Sequence, residues 1–444
     1  MLSDSVAIFV VVTASAFFLG RWQRDHAFLL VMLGYAVALS IVTILSLQSS
    51  VLSGPGGTPY LAGSDGEGYF FQARLLAQEG VLNYQSLIRS NYLGYQIFLA
   101  MLFSVFGSSL VVGLIANDIV LLLSICCLYR ATQVMTGSQR AAMLACTACM
   151  LTTANVFYAL VLLKEPVLGL AFALVLLAVA KIVCETRISL RSIIYLVLAL
   201  AVIVTMRATV LLFIFILFAF VAKLVVRQRV HVFVVLVAMV VLAAPLAQYF
   251  TIYNLDSEFF TQEITRNTVI VSRFEQGDLD ISGIAGRVGD LFIRLPFAVK
   301  VGLFPIPTMM QVLLPFDFWS SQFIDDHFSV FLLRNLNILW LLFVAPWVFF
   351  ALLNVRRIEV PLMARLFLAG VSYYVAVAVV YSGLVPRYGT PTLIFLYPAV
   401  GYWWARAQLE PAVRARVLRF FVSYHAIFCL AGLGFIAIQI MRMR

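Results

Sequence analysis

The chain predicts an all-α fold, a polytopic bundle of transmembrane helices, and three observations predict it. Of 444 residues, 63% are hydrophobic and 11% are charged. A water-soluble fold of that composition would expose far more apolar surface than water tolerates. Many stretches reach the roughly 20 apolar residues that a bilayer span needs. They are continuous runs such as Val232–Leu246, not the alternating segments of a closed barrel.

Taken in order, the apolar runs predict twelve spans, near 5–20, 27–48, 109–130, 140–163, 166–184, 192–206, 207–224, 232–250, 333–354, 362–383, 391–408 and 418–440. The first lacks a basic leader and a small-residue cleavage site, so it reads as a helix and not a signal peptide. Tyr92–Phe106 is apolar but only about fifteen residues long, short for a span. It reads as a juxtamembrane helix lying in the interface. No internal repeat is evident, and 1–444 reads as a single transmembrane domain. Two large segments, 49–108 and 251–332, form the first and second outer loops.

Charge supplies the orientation. The net charge of +10 comes from basic residues spread through short turns. Arg21 and Arg24 flank the first turn, Arg130 and Arg140 another. Lys181, Arg187 and Arg191 cluster, as do Lys223, Arg227 and Arg229. Arg356, Arg357 and Arg365 form a further group, and Arg406, Arg414, Arg416 and Arg419 the last. With the spans as given, all six fall on one side, which the positive-inside rule makes the cytoplasm. Attraction to anionic headgroups explains the positive charge without a nucleic-acid partner. The six cysteines sit in or beside apolar spans, lack zinc-ligand spacing, and read as buried structural thiols.

Candidate chemistry falls on the outer side. The first outer loop reads Gly63-Ser-Asp-Gly-Glu-Gly-Tyr69, with Asp65 and Glu67 just before an expected helix from Tyr69 to Glu79. Asp65 suits either of two roles. It can cap that helix, or act as a partly desolvated proton acceptor at the bilayer surface. Glu67 can assist it or share a divalent cation with it. Lys164-Glu165-Pro166 joins two spans. Pro166 opens the following helix, and Glu165 gains from that helix's positive end; plain snorkelling of both charges is the alternative. Arg207 stands alone between two apolar runs, costly unless functional or at a wet hairpin apex. Pro386-Arg-Tyr-Gly-Thr-Pro391 offers Arg387, a planar fork for phosphate oxygens, and Tyr388; an interfacial anchor is the bland alternative. Tyr69, Arg74, Arg89 and His327 are weaker candidates for substrate contact. Asp325-Asp326-His327 is a possible metal cluster, though three adjacent residues rarely face one ion. Asp317, Arg287, Arg294 and Lys300 are candidates for acceptor contacts. No phosphate-binding Gly-rich loop and no zincin-type histidine pair occurs.

These elements, in this order, resemble the GT-C superfamily of integral-membrane glycosyltransferases, which includes protein O-mannosyltransferases and lipid A aminoarabinose transferases. Ser64-Asp65-Gly-Glu67-Gly-Tyr69 resembles the acidic motif of the family's first outer loop. Tyr92–Gly107 resembles its juxtamembrane stretch ending in Phe-Gly. Glu165-Pro166-Val-Leu resembles its second acidic position, where Asp is commoner, and Arg387-Tyr388-Gly-Thr-Pro391 its late Arg-Tyr. The resemblance implies inverting sugar transfer from a polyprenyl-phosphate carrier to an acceptor protein, lipid or glycan. The expected setting is the periplasmic or outer face of a bacterial inner membrane, among membrane lipids. It implies Asp65 as base, with Glu67 and Glu165 nearby. Arg387, Tyr388, Arg207 and Lys164 would neutralise the donor phosphate, and a divalent cation (Mg or Mn) on Asp65 and Glu165 would share that work. Two other functions fit many spans with outer charges: a flippase or transporter for lipid-linked sugar, and a polysaccharide polymerase or ligase using a diphosphate-linked glycan.

Overall fold

The computed structural model describes residues 2–48, 65–80, 93–160, 162–185, 189–206, 339–380 and 390–443, with short helical pieces between 214 and 224. The expected span 232–250 and the outer loop 251–332 lie outside the described residues, as does most of 207–224. Among the described residues 91% are helical and none is in a strand.

The helices are α1 (Leu2–Trp22), α2 (His26–Gln48), α3 (Asp65–Glu79), α4 (Leu93–Phe106), α5 (Leu110–Thr136), α6 (Gln139–Met150), α7 (Thr153–Leu160), α8 (Glu165–Cys184), α9 (Leu190–Met206), α10 (Ala345–Leu353), α11 (Pro361–Val380), α12 (Tyr397–Leu409) and α13 (Pro411–Met443). Four of them, α1, α2, α5 and α8, are long and apolar enough to cross a membrane, and the bent pair α6–α7 makes a fifth if it is one span. The segment expected to lie in the interface is helical, as α4.

Local chemistry sets the boundaries. Ser109 caps α5 by accepting from the Val111 amide. Gly137 ends the helix at φ 65°, returning its amide to the Gln133 carbonyl, a conformation glycine adopts without a Cβ penalty. Ser138 then caps α6 through the Ala141 amide. Two residues therefore turn the chain between antiparallel helices.

Helices α5 and α8 form the centre, with 61% and 67% of their most apolar windows buried, against 22% and 33% for α1 and α2. In lipid, helices gain little from leaving solvent and associate by close packing. The crossing of α6 and α12 shows this. A Cβ on Gly401 would overlap the Ala141 carbonyl and lie 2.7 Å from the Ala145 amide nitrogen.

Three expected helices differ in form. The span 140–163 breaks into α6 and α7 with a 54° bend. Thr152 sits at the break, its hydroxyl bonded to the Ala148 carbonyl at 3.1 Å and to the Tyr397 hydroxyl at 2.7 Å; side-chain bonding of this kind competes with the helical ladder. The span 333–354 contains a π-turn, Trp340–Val344. Pro346 has no amide for the Leu342 carbonyl, and the Ala345 amide reaches back to Trp340. The two carbonyls left over, of Leu341 and Leu342, are met by Tyr424 and His425 of α13, at 3.2 and 3.1 Å. The span 391–408 opens with 3₁₀ turns over Thr390–Phe395, and the last runs continuously over Pro411–Met443. Not every thiol is buried as expected: Cys184 and Cys429 are exposed.

Among the described residues, three of the turns meet neighbouring helices at one end. Tyr129, late in α5, donates to Asp25 in the α1–α2 turn. Arg140 at the start of α6 bonds Gln408 at the end of α12. Arg406 of α12 bonds Glu359 in the α10–α11 turn. Lys164 and Glu165, beyond the far end of α7, belong to the opposite end.

Candidate functional site at the start of α8

The site is built on a strained turn. Leu162 holds φ at 49°, a left-handed conformation that costs a non-glycine residue about 1–2 kcal/mol. Its side chain is fully buried, and it fits because residue 113 is glycine: a Cβ there would lie 2.7 Å from Leu162 Cδ2. Two residues on, Lys164 stands at the N-cap position of α8 without a side-chain capping bond, Glu165 is its first residue, and Pro166 lies in its first turn. Both charges are deeply buried, at 2% and 4% exposure. The sequence alternative of snorkelling to water does not describe them. The α8 dipole favours a carboxylate at Glu165.

One wall comes from the first outer segment. Helix α3 begins at Asp65, so Asp65 and Glu67 fall within its first turn and not ahead of it. Acidic residues are stabilised there by the orphan amides. Lys164 Nζ stands 6.0 Å from the centre of the Tyr69 ring, a cation–π approach. Tyr69 packs edge-on to Tyr95 of α4, 5.3 Å between centroids. Gln72 and Gln96 bond across the same two helices. The Tyr95 hydroxyl donates to Asn117 of α5 at 3.1 Å, and Asn117 donates to the Ala159 carbonyl of α7 at 3.1 Å. Burial raises the Tyr95 phenol well above its ordinary pKa, the Asn117 bond opposes this, and the Glu165 charge adds to it. Tyr95 therefore stays a neutral donor.

The other wall comes from the late motif. Thr390, Pro391 and Tyr397 face Glu165 across a narrow crevice that Asn155 and Tyr158 of α7 also line. Its open volume is about 20 Å³, room for roughly one water molecule. Phe172 of α8 meets Phe395 edge-on at 6.0 Å.

The structure thus brings together the Lys164-Glu165-Pro166 turn, the Tyr69 helix and the Thr390-Pro391 end of the late motif. Glu67 is half-buried two residues before Tyr69, whereas Arg74 is exposed on α3, away from the buried Tyr69 face. The Asp65 side chain, Arg89, Arg207, His327, Arg387 and Tyr388 lie outside the described residues, as do Asp317, Asp325, Asp326, Arg287, Arg294 and Lys300. For a divalent cation, the described carboxylates are Glu165, next to Lys164 in the chain, and the half-buried Glu67. No group of three His, Cys, Asp or Glu comes together among the described residues. Magnesium takes about six oxygen ligands; of the two carboxylates expected to hold it, Glu165 is described and the Asp65 side chain lies outside the described residues.

Sequence reasoning passed over Asp118. It lies within α5 at 1% exposure, next to Asn117. The Thr43 hydroxyl of α2 donates to its Oδ2 at 2.9 Å, and its Oδ1 has no hydrogen-bond partner among the described residues. The signal was present: Asn117-Asp118 interrupts an otherwise apolar run, and an ionisable residue inside a span is a functional candidate.

Comparison with known protein families, with curated proteins and with solved structures finds no match to this chain.

Proposed function

We propose that this chain is a membrane-embedded glycosyltransferase of the GT-C kind, which moves a sugar from a polyprenyl-phosphate carrier to an acceptor hydroxyl at the outer membrane face. The observation that carries the reading is the meeting of three separated segments at one place: Lys164 against Tyr69, and Glu165 against Thr390 and Tyr397. Thr390 and Pro391 belong to the same motif as Arg387, which lies three residues before Thr390 in the chain. Asp65 heads the helix that carries Tyr69. The reading includes the full set of twelve spans, with the arginine-rich end in the cytoplasm.

In the proposed reaction the lipid tail stays in the bilayer and the phosphate rests at the surface. Asp65 takes the proton of the acceptor hydroxyl as its oxygen attacks the anomeric carbon from the face opposite the carrier. The bond from that carbon to the phosphate oxygen breaks, its electron pair leaves with the phosphate, and the configuration inverts. The transition state has oxocarbenium character, by analogy with glycoside hydrolysis. Arg387, Arg207 and Lys164 offset the charge that grows on the leaving phosphate. Glu165 lines the crevice next to Lys164, and a divalent cation held by Asp65 and Glu165 would share the charge compensation.

Asp65→Asn should lower transfer from a polyprenyl-monophosphate sugar by on the order of 100- to 10,000-fold, with insertion and melting temperature unchanged. Near-normal turnover would remove Asp65 from the mechanism. Asp118 favours a second reading, a flippase, because buried intramembrane carboxylates mark transport pathways. Reconstituted vesicles separate the two: transfer to an acceptor supports the enzyme, whereas movement of carrier across the bilayer without product supports the flippase. Use of only a diphosphate-linked glycan would point to a polymerase or ligase.

A further inference from the structure

A second candidate site lies at the opposite end of the bundle. A groove of about 470 Å³ opens between the start of α6, helix α10, the end of α12 and the start of α13. Its inner wall is aromatic. Trp347 and Trp404 stack at 5.5 Å with 17° between their planes, and Phe421 meets Trp347 edge-on at 5.0 Å. Its mouth is cationic. Arg140 and Arg414 both line it and both are exposed.

Each guanidinium is held in place yet keeps donors to spare. Arg140 Nε donates to Gln408 Oε1 at 2.5 Å, and its two terminal nitrogens have no partner among the described residues. Arg414 donates through Nε to the Ala407 carbonyl and through Nη2 to the Gln408 carbonyl, at 3.0 and 2.7 Å. Backbone carbonyls fix the fork without neutralising it. Glu410, four residues before Arg414, is bonded to Arg406, which also bonds Glu359. Arg416 and Arg419 follow on α13 and add to the positive field.

Below the mouth, the wall passes into lipid-facing surface. Leu418 lines the groove, and Val422 lies one turn further along α13; both are 64% exposed. A cationic rim over an apolar slot that continues into an exposed apolar helix face matches one kind of molecule: an amphiphile with an anionic head and hydrocarbon tails. Indole rings favour that depth, where headgroups meet acyl chains.

We propose that this groove binds an anionic glycerophospholipid. Its phosphate would sit between Arg140 and Arg414, and an acyl chain would run over Trp347 and Trp404 and down past Leu418 and Val422. The proposal is independent of the chemistry at the start of α8. The lipid would fasten α6, α10, α12 and α13 to one another, at the end where their turns meet.

Native mass spectrometry of the delipidated full chain, titrated with phosphatidylglycerol or phosphatidylcholine of matched acyl chains, tests it. Phosphatidylglycerol should bind more tightly. Arg140→Gln combined with Arg414→Gln should weaken it by about thirtyfold, as expected for two basic contacts at a membrane surface, and leave phosphatidylcholine unchanged. Arg140→Gln alone, at an exposed side chain bonded only to Gln408 among the described residues, should weaken it by about fivefold and covers the case in which the double variant fails to fold. Equal binding of the two lipids to the native chain would overturn the proposal. So would an undiminished preference in the variants, or displacement of the lipid by inorganic phosphate at millimolar concentration.

Discussion

At one end of the bundle Arg406 bonds Glu359 and Glu410, carboxylates that are 71% and 43% exposed; at the other, Lys164 and Glu165 are 2% and 4% exposed. The residue types are similar and the surroundings are opposite. In water a charge keeps its hydration, and a partner adds little. Inside a packed protein a charge persists only where neighbouring groups replace that hydration. At the buried end the Tyr69 ring approaches the Lys164 ammonium, and the positive end of α8 favours the Glu165 carboxylate. Structure spent on holding charge away from water points to function there and to tethering at the arginine end.

The largest expected difference between the ends is in activity. Glu165→Gln should reduce sugar transfer by on the order of 100-fold, the scale of losing one preorganised electrostatic element. Glu359→Gln should leave transfer unchanged. Parallel assays of both variants check this, and equal losses would dissolve the distinction. Next in size is the crossing that joins the ends. Gly401→Leu inserts a side chain where a Cβ already overlaps Ala141. Overpacking of this kind costs about 1–3 kcal/mol, so thermal unfolding in detergent should shift clearly downward. An unchanged midpoint would mean that α6 and α12 are not in contact there.

Stability of the charges themselves sharpens the comparison further. Lys164→Met should cost about 2 kcal/mol, the value of a desolvated cation–π contact. Arg406→Met should cost about 1 kcal/mol or less, as for exposed ion pairs. Unfolding free energies of the two variants, measured side by side, test the order; a reversed order would mean that water reaches Lys164.

These features were unequally legible in the sequence. Helical membrane character is carried by composition and run length, which need no tertiary information. The turn at Lys164-Glu165-Pro166 was legible because proline after a charge marks a helix start. Burial of that turn was not, since it depends on Tyr69 and on residues near 390. The break at Thr152 was hidden for the same reason: its decisive bond goes to Tyr397, 245 residues away. The π-turn before α10 likewise depends on Tyr424 and His425. Asp118 is legible as an acid inside an apolar run, whereas its bond to Thr43, 75 residues away, is not.

The smallest expected effect is a pH dependence at the exposed end. Hydrogen bonding from Arg406 lowers the Glu410 pKa below its ordinary 4.5, against a smaller opposing effect of desolvation. A carboxylate with a lowered folded pKa adds stability above its unfolded value and loses it as pH falls through the folded one. The Arg406–Glu410 contribution should therefore be complete at neutral pH and fade below the ordinary glutamate range. Because Glu410 is open to solvent, the effect should be slight and should shrink further in high salt. Melting curves of the native chain and Glu410→Gln should differ slightly at neutral pH and converge in acid. A difference that grew on acidification would mean that Glu410 is held in its protonated form, contrary to the two bonds Arg406 makes to it.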